Sequence, residues 1–370
     1  MQAFILAMSN ADKDGRILMV SERSTASEQP TITIKYQLLD ASSSFSDIVS
    51  EARSVVLAGG TMAPIVPPEH LLVRAVSKGP MGTNLQLKFT SKDDPKMQDD
   101  LGQSVANICN IIKDGVICFF PSYASLDTLT DRWKKTGLWT RLENKKKIFI
   151  EPKSAADVDK ILNGYSAAVN QSTNPTSVSG GGLMLAVVGG KLSEGINFSN
   201  NLCRAVIVIG IPYPNSQSVE LKERIKYVEN LKGAQKDAGK NFYANLAFKA
   251  VNQSIGRAIR HSKDWSAIIL LDSRYGAPEN VNRLPDWIKA GFKTTEGFGS
   301  LIKDLAQFYN QRRRDGFLAH IRFASSTEAA DFTGGGMYLI GLIGFWFVYS
   351  WGERYQTPLL PPIYIDSSGV

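Results

Sequence analysis

The sequence predicts an α/β domain built on a mostly parallel sheet, and two observations lead to this prediction. From residue 115 onward, short apolar runs typical of buried strands alternate with longer segments that have the periodicity of amphipathic helices. The apolar runs also lack the alternation of apolar and polar residues that marks a half-exposed strand. Strands of this kind are covered on both faces, so we expect helices to flank the sheet.

The alternation of elements continues to about residue 313. The predicted strands are residues 115–120, 147–150, 183–188, 205–211 and 266–272. The predicted helices are residues 126–136, 154–169, 220–232, 244–260 and 300–313. A polar segment rich in serine and glycine, residues 170–182, is expected to form a surface loop.

The segment before residue 115 has a different character. Residues 31–39 alternate in places like a strand, and residues 54–58 form an apolar run typical of a buried strand. Glycines and prolines follow directly, from Gly59 to Pro68, and they predict a loop or linker. We therefore place a domain boundary near Pro67.

Composition and charge place the chain among ordinary soluble globular proteins. It is 43% hydrophobic and 21% charged, with a formal net charge of +7 and a pI near 9.1. This basic balance favours polyanionic partners but is mild for a dedicated nucleic-acid module. The basic segments 145–147 and 312–314 are read either as DNA phosphate contacts or as solvated surface.

The three cysteines, Cys109, Cys118 and Cys203, have no CxxC spacing and no histidines grouped near them. We therefore predict neither a metal or iron–sulfur site nor a disulfide framework in this chain, and we expect the thiols to be small core residues. So few cysteines fit a reducing compartment such as the cytosol or nucleus.

The two ends of the chain differ from its middle. The N-terminus lacks the basic region of a secretory signal. Residues 332–352 contain no charge and are just long enough to cross a bilayer. The tail 316–370 therefore has no predicted fold, and it is either a hydrophobic anchor or a gene-model artefact.

The strongest candidate site is QSIGRAIRH, residues 253–261. On a helix, its polar stripe and its apolar stripe lie on opposite faces. The polar stripe is Gln253, Gly256, Arg257 and Arg260; the apolar one is Val251, Ile255, Ala258 and Ile259. Two arginines one turn apart are suited to grip the terminal phosphate of a nucleotide. The alternative is a solvated helix face or a pair of structural ion pairs.

A complete ATP-hydrolysing site is not encoded in this sequence. The string GGKLS resembles part of a phosphate-binding loop, but the motif GxxxxGK[ST] would need a glycine where Leu185 stands and a hydroxyl residue where Leu192 stands. No acidic box for Mg²⁺ follows either. We expect the isolated chain not to hydrolyse ATP.

Several strings in order resemble the conserved motifs of superfamily 2 helicases. The string QSIGRAIRH is similar to the sixth motif, AVVGGKLSEGINFSNN (186–201) to the fifth, VICFFPSYASLDTL (116–129) to the fourth and AGGTMAP (58–64) to the third. A further string, RLENKKKIFIEPKSA (141–155), also matches. Taken together, these strings show that residues 36 to about 312 resemble the C-terminal half of an XPD-like iron–sulfur DNA helicase. The branch is the Chl type, which is linked to sister-chromatid cohesion.

The resemblance implies a domain plan. Residues 1–45 would end an arch-like insertion, and residues 46–66 would supply the last strand and third motif of a first RecA-like domain. Residues 67–315 would form the second RecA-like domain, a parallel sheet flanked by helices. The phosphate-binding loop and the iron–sulfur cluster would belong to a segment that is missing here.

The resemblance also implies roles for particular residues. Arg257 and Arg260 would act as arginine fingers on the γ-phosphate. The other nucleotide contacts would be Gln253, Gly256, Glu194 and Gly195. The DNA contacts would be Thr61, Ser122, Tyr123 and Lys191. Read alone, Glu194 is an exposed loop carboxylate, Tyr123 is equally a core residue, and Thr61 belongs to a tight turn.

The function implied is that of an ATP-dependent 5′–3′ DNA helicase of the nucleus. Its cofactors would be ATP and Mg²⁺, both requiring the first domain, and its partners single-stranded or forked DNA with cohesion or replication proteins. The alternative is a non-catalytic nucleic-acid-binding or interaction module. A membrane partner would involve only residues 332–352.

Overall fold

The structure is a computed structural model of the chain. It describes residues 15–22, 31–40, 42–56, 67–88, 90–172, 180–192, 198, 200–259, 261, 263–295, 297–328, 338–342 and 345–349. The chain divides into two compact units, Met1–Arg312 and Arg313–Val370.

The first described elements form a hairpin followed by a helix. They are β1 (Gly15–Glu22), β2 (Thr31–Leu38) and α1 (Ser42–Glu51). The two strands pair in antiparallel fashion. One face carries Arg16 and Lys35, which form ion pairs with Glu223 and Glu220. The predicted strand at 31–39 is thus confirmed, and its partner strand was not foreseen.

Seven strands form the main sheet of the described residues. They are β3 (Leu71–Val76), β4 (Val116–Phe120), β5 (Lys147–Ile150), β6 (Gly182–Val187), β7 (Ala205–Ile209), β8 (Ser266–Leu271) and β9 (Phe292–Thr295). Their order is β5-β6-β4-β7-β8-β3-β9, and every pair is parallel. The predicted fold class is confirmed.

Helices cover both faces of this sheet. They are α2 (Pro95–Ile111), α3 (Tyr123–Lys135), α4 (Leu138–Glu143), α5 (Val158–Ser172), α6 (Val219–Glu229), α7 (Ala238–Ile255), α8 (Pro278–Val281), α9 (Asp286–Lys289) and α10 (Phe298–Glu328). Side chains of α2, α3, α4 and α10 pack on one face, and those of α5, α7 and α9 on the other.

Strand β4 shows why the apolar runs are continuous. Cys118 and Phe120 belong to the core cluster on one face, whereas Ile117 and Phe119 belong to the cluster on the other. All four are fully buried. Since successive side chains of a strand point to opposite faces, a strand covered by helices on both faces requires apolar residues at every position.

The three cysteines are buried core residues, as predicted. Cys109 lies on α2, Cys118 on β4 and Cys203 just before β7. Burial raises the pKa of Cys109 to about 11, which keeps this thiol protonated at neutral pH.

The strand predicted at residues 54–58 is wrong over its described part. Residues 54–56 have no regular structure, and Val56 is 87% exposed. An apolar run becomes a strand only where another strand supplies hydrogen bonds, and among the described residues none pairs with this segment. Residues 57 and 58 lie outside the described part of the chain.

In the basic segment 145–147, Lys145 and Lys147 are exposed, whereas Lys146 is buried and the interpretation as surface is wrong for it. Its side chain is 1% exposed, and its Nζ donates to the main-chain oxygen of Asp114. The carboxylate of Asp114 accepts a hydrogen bond from the hydroxyl of Tyr309, which in turn accepts one from the backbone N–H of Lys113. The lysine is buried because these contacts join β4 and α10 at this end of the sheet.

Burial makes Lys146 a source of pH-dependent stability. Loss of hydration lowers its pKa from 10.5 to about 8, so between these values the unfolded chain binds more protons than the folded chain. The free energy of unfolding should therefore rise with pH across this window. Relative to Lys146→Met, the wild type should gain up to about 3 kcal/mol between pH 8 and 10.5.

Urea denaturation of both proteins at pH 7.5 and pH 10 measures this gain. The comparison with Lys146→Met removes the titration of other buried groups, because they are common to both proteins. An equal stability difference at the two pH values would contradict the assignment of a neutral buried lysine at high pH.

The second unit contains a hairpin in its described part. Strands β10 (Tyr338–Leu342) and β11 (Phe345–Tyr349) pair in antiparallel fashion. They occupy part of the apolar segment 332–352, whose other residues lie outside the described part. Among the described residues, no helix is both long enough and apolar enough to span a bilayer.

Candidate nucleotide and DNA site

Ser122 begins helix α3 directly after β4. Its hydroxyl accepts a hydrogen bond from the backbone N–H of Ser125 at 3.1 Å and so caps the helix. The residue lies where the carboxyl ends of parallel strands meet, which is where open α/β sheets place their ligands. The contact of Ser122 with DNA stays a prediction.

A groove of about 780 Å³ opens at this edge of the sheet. Its polar lining combines two lysines and one carboxylate with hydroxyl and amide groups: Lys88, Lys92, Asp93, Ser122, Ser125, Asn215 and Gln217. These residues come from the segments that follow β3, β4 and β7. Cations and neutral hydrogen-bonding groups of this kind suit a sugar–phosphate backbone.

Aromatic residues form one wall of the groove. Tyr213 and Tyr243 stack with ring centroids 5.2 Å apart, and the guanidinium of Arg274 lies 5.7 Å from the Tyr213 ring. Arg274 itself pairs with the buried carboxylate of Asp272 at 2.7 Å. The strand end at Asp272 therefore carries a satisfied ion pair.

Tyr123 lies beside Ser122, but its hydroxyl has an internal partner. It donates to Glu151 Oε1 at 3.1 Å. Burial, the charge of Glu151 and the hydrogen bond to Glu151 together raise the pKa of Tyr123. The ring is half-buried against the core, so any DNA contact by Tyr123 would come from the ring rather than the hydroxyl.

Lys191 belongs to the loop that follows β6. The loop turns at Gly189, whose φ of +72° favours glycine. The Lys191 side chain is exposed, and its Nζ donates to the main-chain oxygen of Lys153. Its ammonium group therefore lies at the surface of the same sheet edge as Ser122.

The predicted polar and apolar stripes around residues 253–261 are both present among the described residues. Val251, Ile255, Ala258 and Ile259 are buried, whereas Gln253, Gly256 and Arg257 are partly exposed. The predicted helix extends too far, however. Helix α7 ends at Ile255, and Gly256 is its C-cap. The backbone then tightens, since the N–H groups of Arg257 and Ala258 bond to carbonyls three residues back.

The end of this motif lies near the amino ends of β7 and β8. His261 Nε2 is 3.2 Å from Asn200 Oδ1, and the backbone N–H of Asn200 is 3.4 Å from Asp264 Oδ2. Buried Asp264 also pairs with Arg204 at 2.8 Å. The last residues of the fifth-motif and sixth-motif strings are thus in contact, at the sheet edge opposite to Ser122 and Lys191.

Four of the predicted site residues lie outside the described residues: Thr61, Glu194, Gly195 and Arg260. Two structural carboxylates were missed by the sequence interpretation. Glu151 follows an apolar strand directly, and this position was a signal for a residue at the carboxyl edge. Asp264 had no comparable signal, because its partners are far away in sequence.

The strand order, the parallel register and the two helical layers define a RecA-like α/β domain. The comparisons with known proteins then identify the family. The profile of the helicase C-terminal domain matches residues 105–291, and the chain belongs to this family.

Individual relatives agree with this assignment. The ATP-dependent DNA helicase DDX11 of Danio rerio is 37% identical over 341 residues, covering 85% of this chain and 38% of the relative. The ATP-dependent DNA helicase chl1 of Schizosaccharomyces pombe is 38% identical, covering 85% of this chain and 39% of the relative. These relatives confirm the predicted resemblance to helicases of the Chl type.

Two further facts complete the comparison. The solved structure named XPD_Helicase matches with 22% identity and a TM-score of 0.43, over 61% of this chain and 35% of that one. The chain spans less than two fifths of the length of the DDX11 and chl1 relatives given above.

Proposed function

We propose that this chain is the C-terminal motor domain of an ATP-dependent 5′–3′ DNA helicase that acts in chromosome cohesion, replication or repair. The observation that supports the proposal is that the helicase C-terminal profile matches residues 105–291. This range contains five of the seven strands of the parallel sheet and the strings similar to the fourth, fifth and sixth motifs. Its expected location is the nucleus. The iron–sulfur cluster and the phosphate-binding loop would be supplied by the segment that precedes this domain in the longer relatives.

The proposed DNA face is the carboxyl edge of the sheet. There the groove offers Lys88 and Lys92 together with the exposed Ser122 hydroxyl, and Lys191 lies on a loop at the same edge. Ammonium groups and hydroxyls bind phosphate oxygens without reading the base, as expected for a motor that moves over any sequence. Thr61, from the third motif, is proposed as a further DNA contact.

The proposed nucleotide face carries Gln253, Gly256 and Arg257 at the end of α7, with Arg260 following. Among the described residues, no ion pair involves the guanidinium of Arg257, which is partly exposed. When bound, Mg-ATP would supply the γ-phosphate, and the arginines would neutralise its developing charge. Glu194 and Gly195 are proposed to approach the same nucleotide.

Binding to a single-stranded oligonucleotide tests the DNA face. We expect the chain to bind a fluorescent oligonucleotide with an affinity that falls as salt rises, by a logarithmic slope of about 0.7 for each phosphate contact. Lys88→Ala and Lys92→Ala should each reduce this slope by about one such contact. Fluorescence anisotropy from 50 to 200 mM salt measures both quantities.

Lys293→Ala is the matched control for these variants. Lys293 is exposed on β9, outside the groove, so its removal should leave the slope unchanged. Equal slopes in the wild type and the two groove variants would contradict the assignment of the groove.

The second candidate function is a non-catalytic nucleic-acid-binding module. It is favoured by one observation, the lack of a GxxxxGK[ST] loop in the sequence. ATP turnover in a full-length chain that carries such a loop distinguishes the two functions, because only a motor domain would raise that turnover on addition of DNA.

A further inference from the structure

Glu151 is a buried carboxylate immediately after β5. Its side chain is 3% exposed, and its two oxygens accept three hydrogen bonds. The backbone N–H of Val187 donates at 2.6 Å and that of Leu192 at 3.0 Å. The hydroxyl of Tyr123 donates at 3.1 Å. One carboxylate therefore bonds to the loop after β6 and to the loop after β4.

The loop after β6 is shaped around this carboxylate. A Cβ atom added to Gly190 would lie 2.4 Å from Glu151 Oε1, so only glycine allows the loop to approach so closely. Tyr123 extends the link to the start of α3, because its hydroxyl donates to the same carboxylate oxygen that accepts from Leu192. The two loops are thus held together through Glu151 and Tyr123.

The hydrogen bonds of Glu151 fix the positions of its donor groups more strictly than the charge of the carboxylate alone would. A buried carboxylate is costly unless its oxygens are bonded, and each N–H donor must point at an oxygen within a narrow angle. Among the described residues, the carboxylate accepts hydrogen bonds from two backbone N–H groups and one hydroxyl, and these donors are less flexible than the side chain of a lysine. Donors of this kind hold the backbone in one place.

We propose that Glu151 is a positioning residue for DNA binding, which holds Lys191 and Ser122 in the relative placement that lets both contact one DNA strand. This inference rests on the proposed DNA face. Ser122 adjoins Tyr123 in sequence. Lys191 lies between Gly190, which packs against the carboxylate, and Leu192, whose N–H is bonded to it. Glu151 itself need not touch the nucleic acid.

Glu151→Gln tests the inference in the whole chain. The amide NH2 cannot accept a hydrogen bond, so at least one donor loses its partner and the loop after β6 loosens. We expect the salt-dependence slope of oligonucleotide binding to fall by about 0.7, which is one phosphate contact. A purely structural role would lower the folded fraction, and with it the apparent affinity, but would leave this slope unchanged.

Gly190→Ala is a second variant that should remove the same phosphate contact. It forces the loop away from the carboxylate without altering any charge, and it should reduce the slope by the same amount. This variant keeps the test decisive if Glu151→Gln fails to fold.

Asp100→Asn is the matched control. Asp100 is also a buried carboxylate that accepts from two backbone N–H groups, those of Met81 and Thr83, and a glycine, Gly79, is pressed against it. The change should destabilise the chain comparably and leave the slope at the wild-type value.

The outcomes separate the two proposals. A wild-type slope in both Glu151→Gln and Gly190→Ala, with binding retained, would overturn the role of Glu151 alone. A wild-type chain that does not bind the oligonucleotide would overturn the proposed DNA face and the role of Glu151 with it. A reduced slope in Asp100→Asn would also count against a specific role for Glu151.

Discussion

Replacing Arg260 by alanine in a full-length chain of this family is expected to lower ATP turnover by about a thousandfold or more. The reason is that a guanidinium neutralises charge on the γ-phosphate only when the transition state forms, so its loss affects turnover far more than binding. Steady-state turnover with saturating single-stranded DNA measures the effect. DNA affinity, measured on the same samples, should change little.

Two further variants make this prediction specific. Arg260→Lys keeps the charge but not the planar fork, so most of the loss should persist. Arg141→Ala is the control, since this arginine is exposed on α4 and bonds to Gln103. Turnover that survived Arg260→Ala would refute the arginine-finger assignment. Turnover by the present chain alone, abolished by the same change, would refute the claim that it lacks a complete site.

The second large effect is expected at Trp133, where alanine should lower the free energy of unfolding by about 3–5 kcal/mol. The indole is fully buried on α3, and its N–H donates to the main-chain oxygen of Gln98 at 2.8 Å. It also lies 6.0 Å from the Phe120 ring. Truncation removes this apolar contact area and the hydrogen bond of the indole, and it leaves a cavity inside a close-packed core.

Trp139→Ala is the matched control for this loss. The indole of Trp139 lies only partly buried at the edge of the same core, and it bonds to Glu143. Urea denaturation of the two variants should therefore give a much smaller change for Trp139. Similar losses at the two positions would contradict the distinction between core and edge that the structure makes.

Short-range patterns predicted much of the sheet. The strands β4, β5, β6, β7 and β8 lie within two residues of the predicted bounds, because fully buried strands leave continuous apolar runs. Strand β3 was missed, and it carries a charged residue, Arg74, inside its apolar run. This arginine is tolerated because it pairs with Asp304 of α10 at 2.7 Å. No local sequence pattern indicates an ion-pair partner that lies so far along the chain.

The bounds of the helices were predicted less accurately than the bounds of the strands. Helix α2 was not predicted, although Asp94 caps it and Pro95 opens it. Helix α7 was extended to residue 260, yet it ends at Ile255. Periodicity of apolar residues continues through Ala258 and Ile259, since both are buried. Burial alone does not require helical hydrogen bonds, and after Ile255 the backbone N–H groups of Arg257 and Ala258 bond to carbonyls three residues back.

The sequence by itself determined the fold class, the order of the motifs and the family resemblance, because strands and motifs are read from residues that are neighbours along the chain. Only the tertiary structure revealed that Lys146 is buried. It also revealed that the groove is assembled from the three segments that follow β3, β4 and β7. It likewise brought Glu151 to donors 28, 36 and 41 residues away. The physical reason is that a buried polar group is stabilised by whichever donors the fold brings to it, and sequence spacing does not encode that meeting.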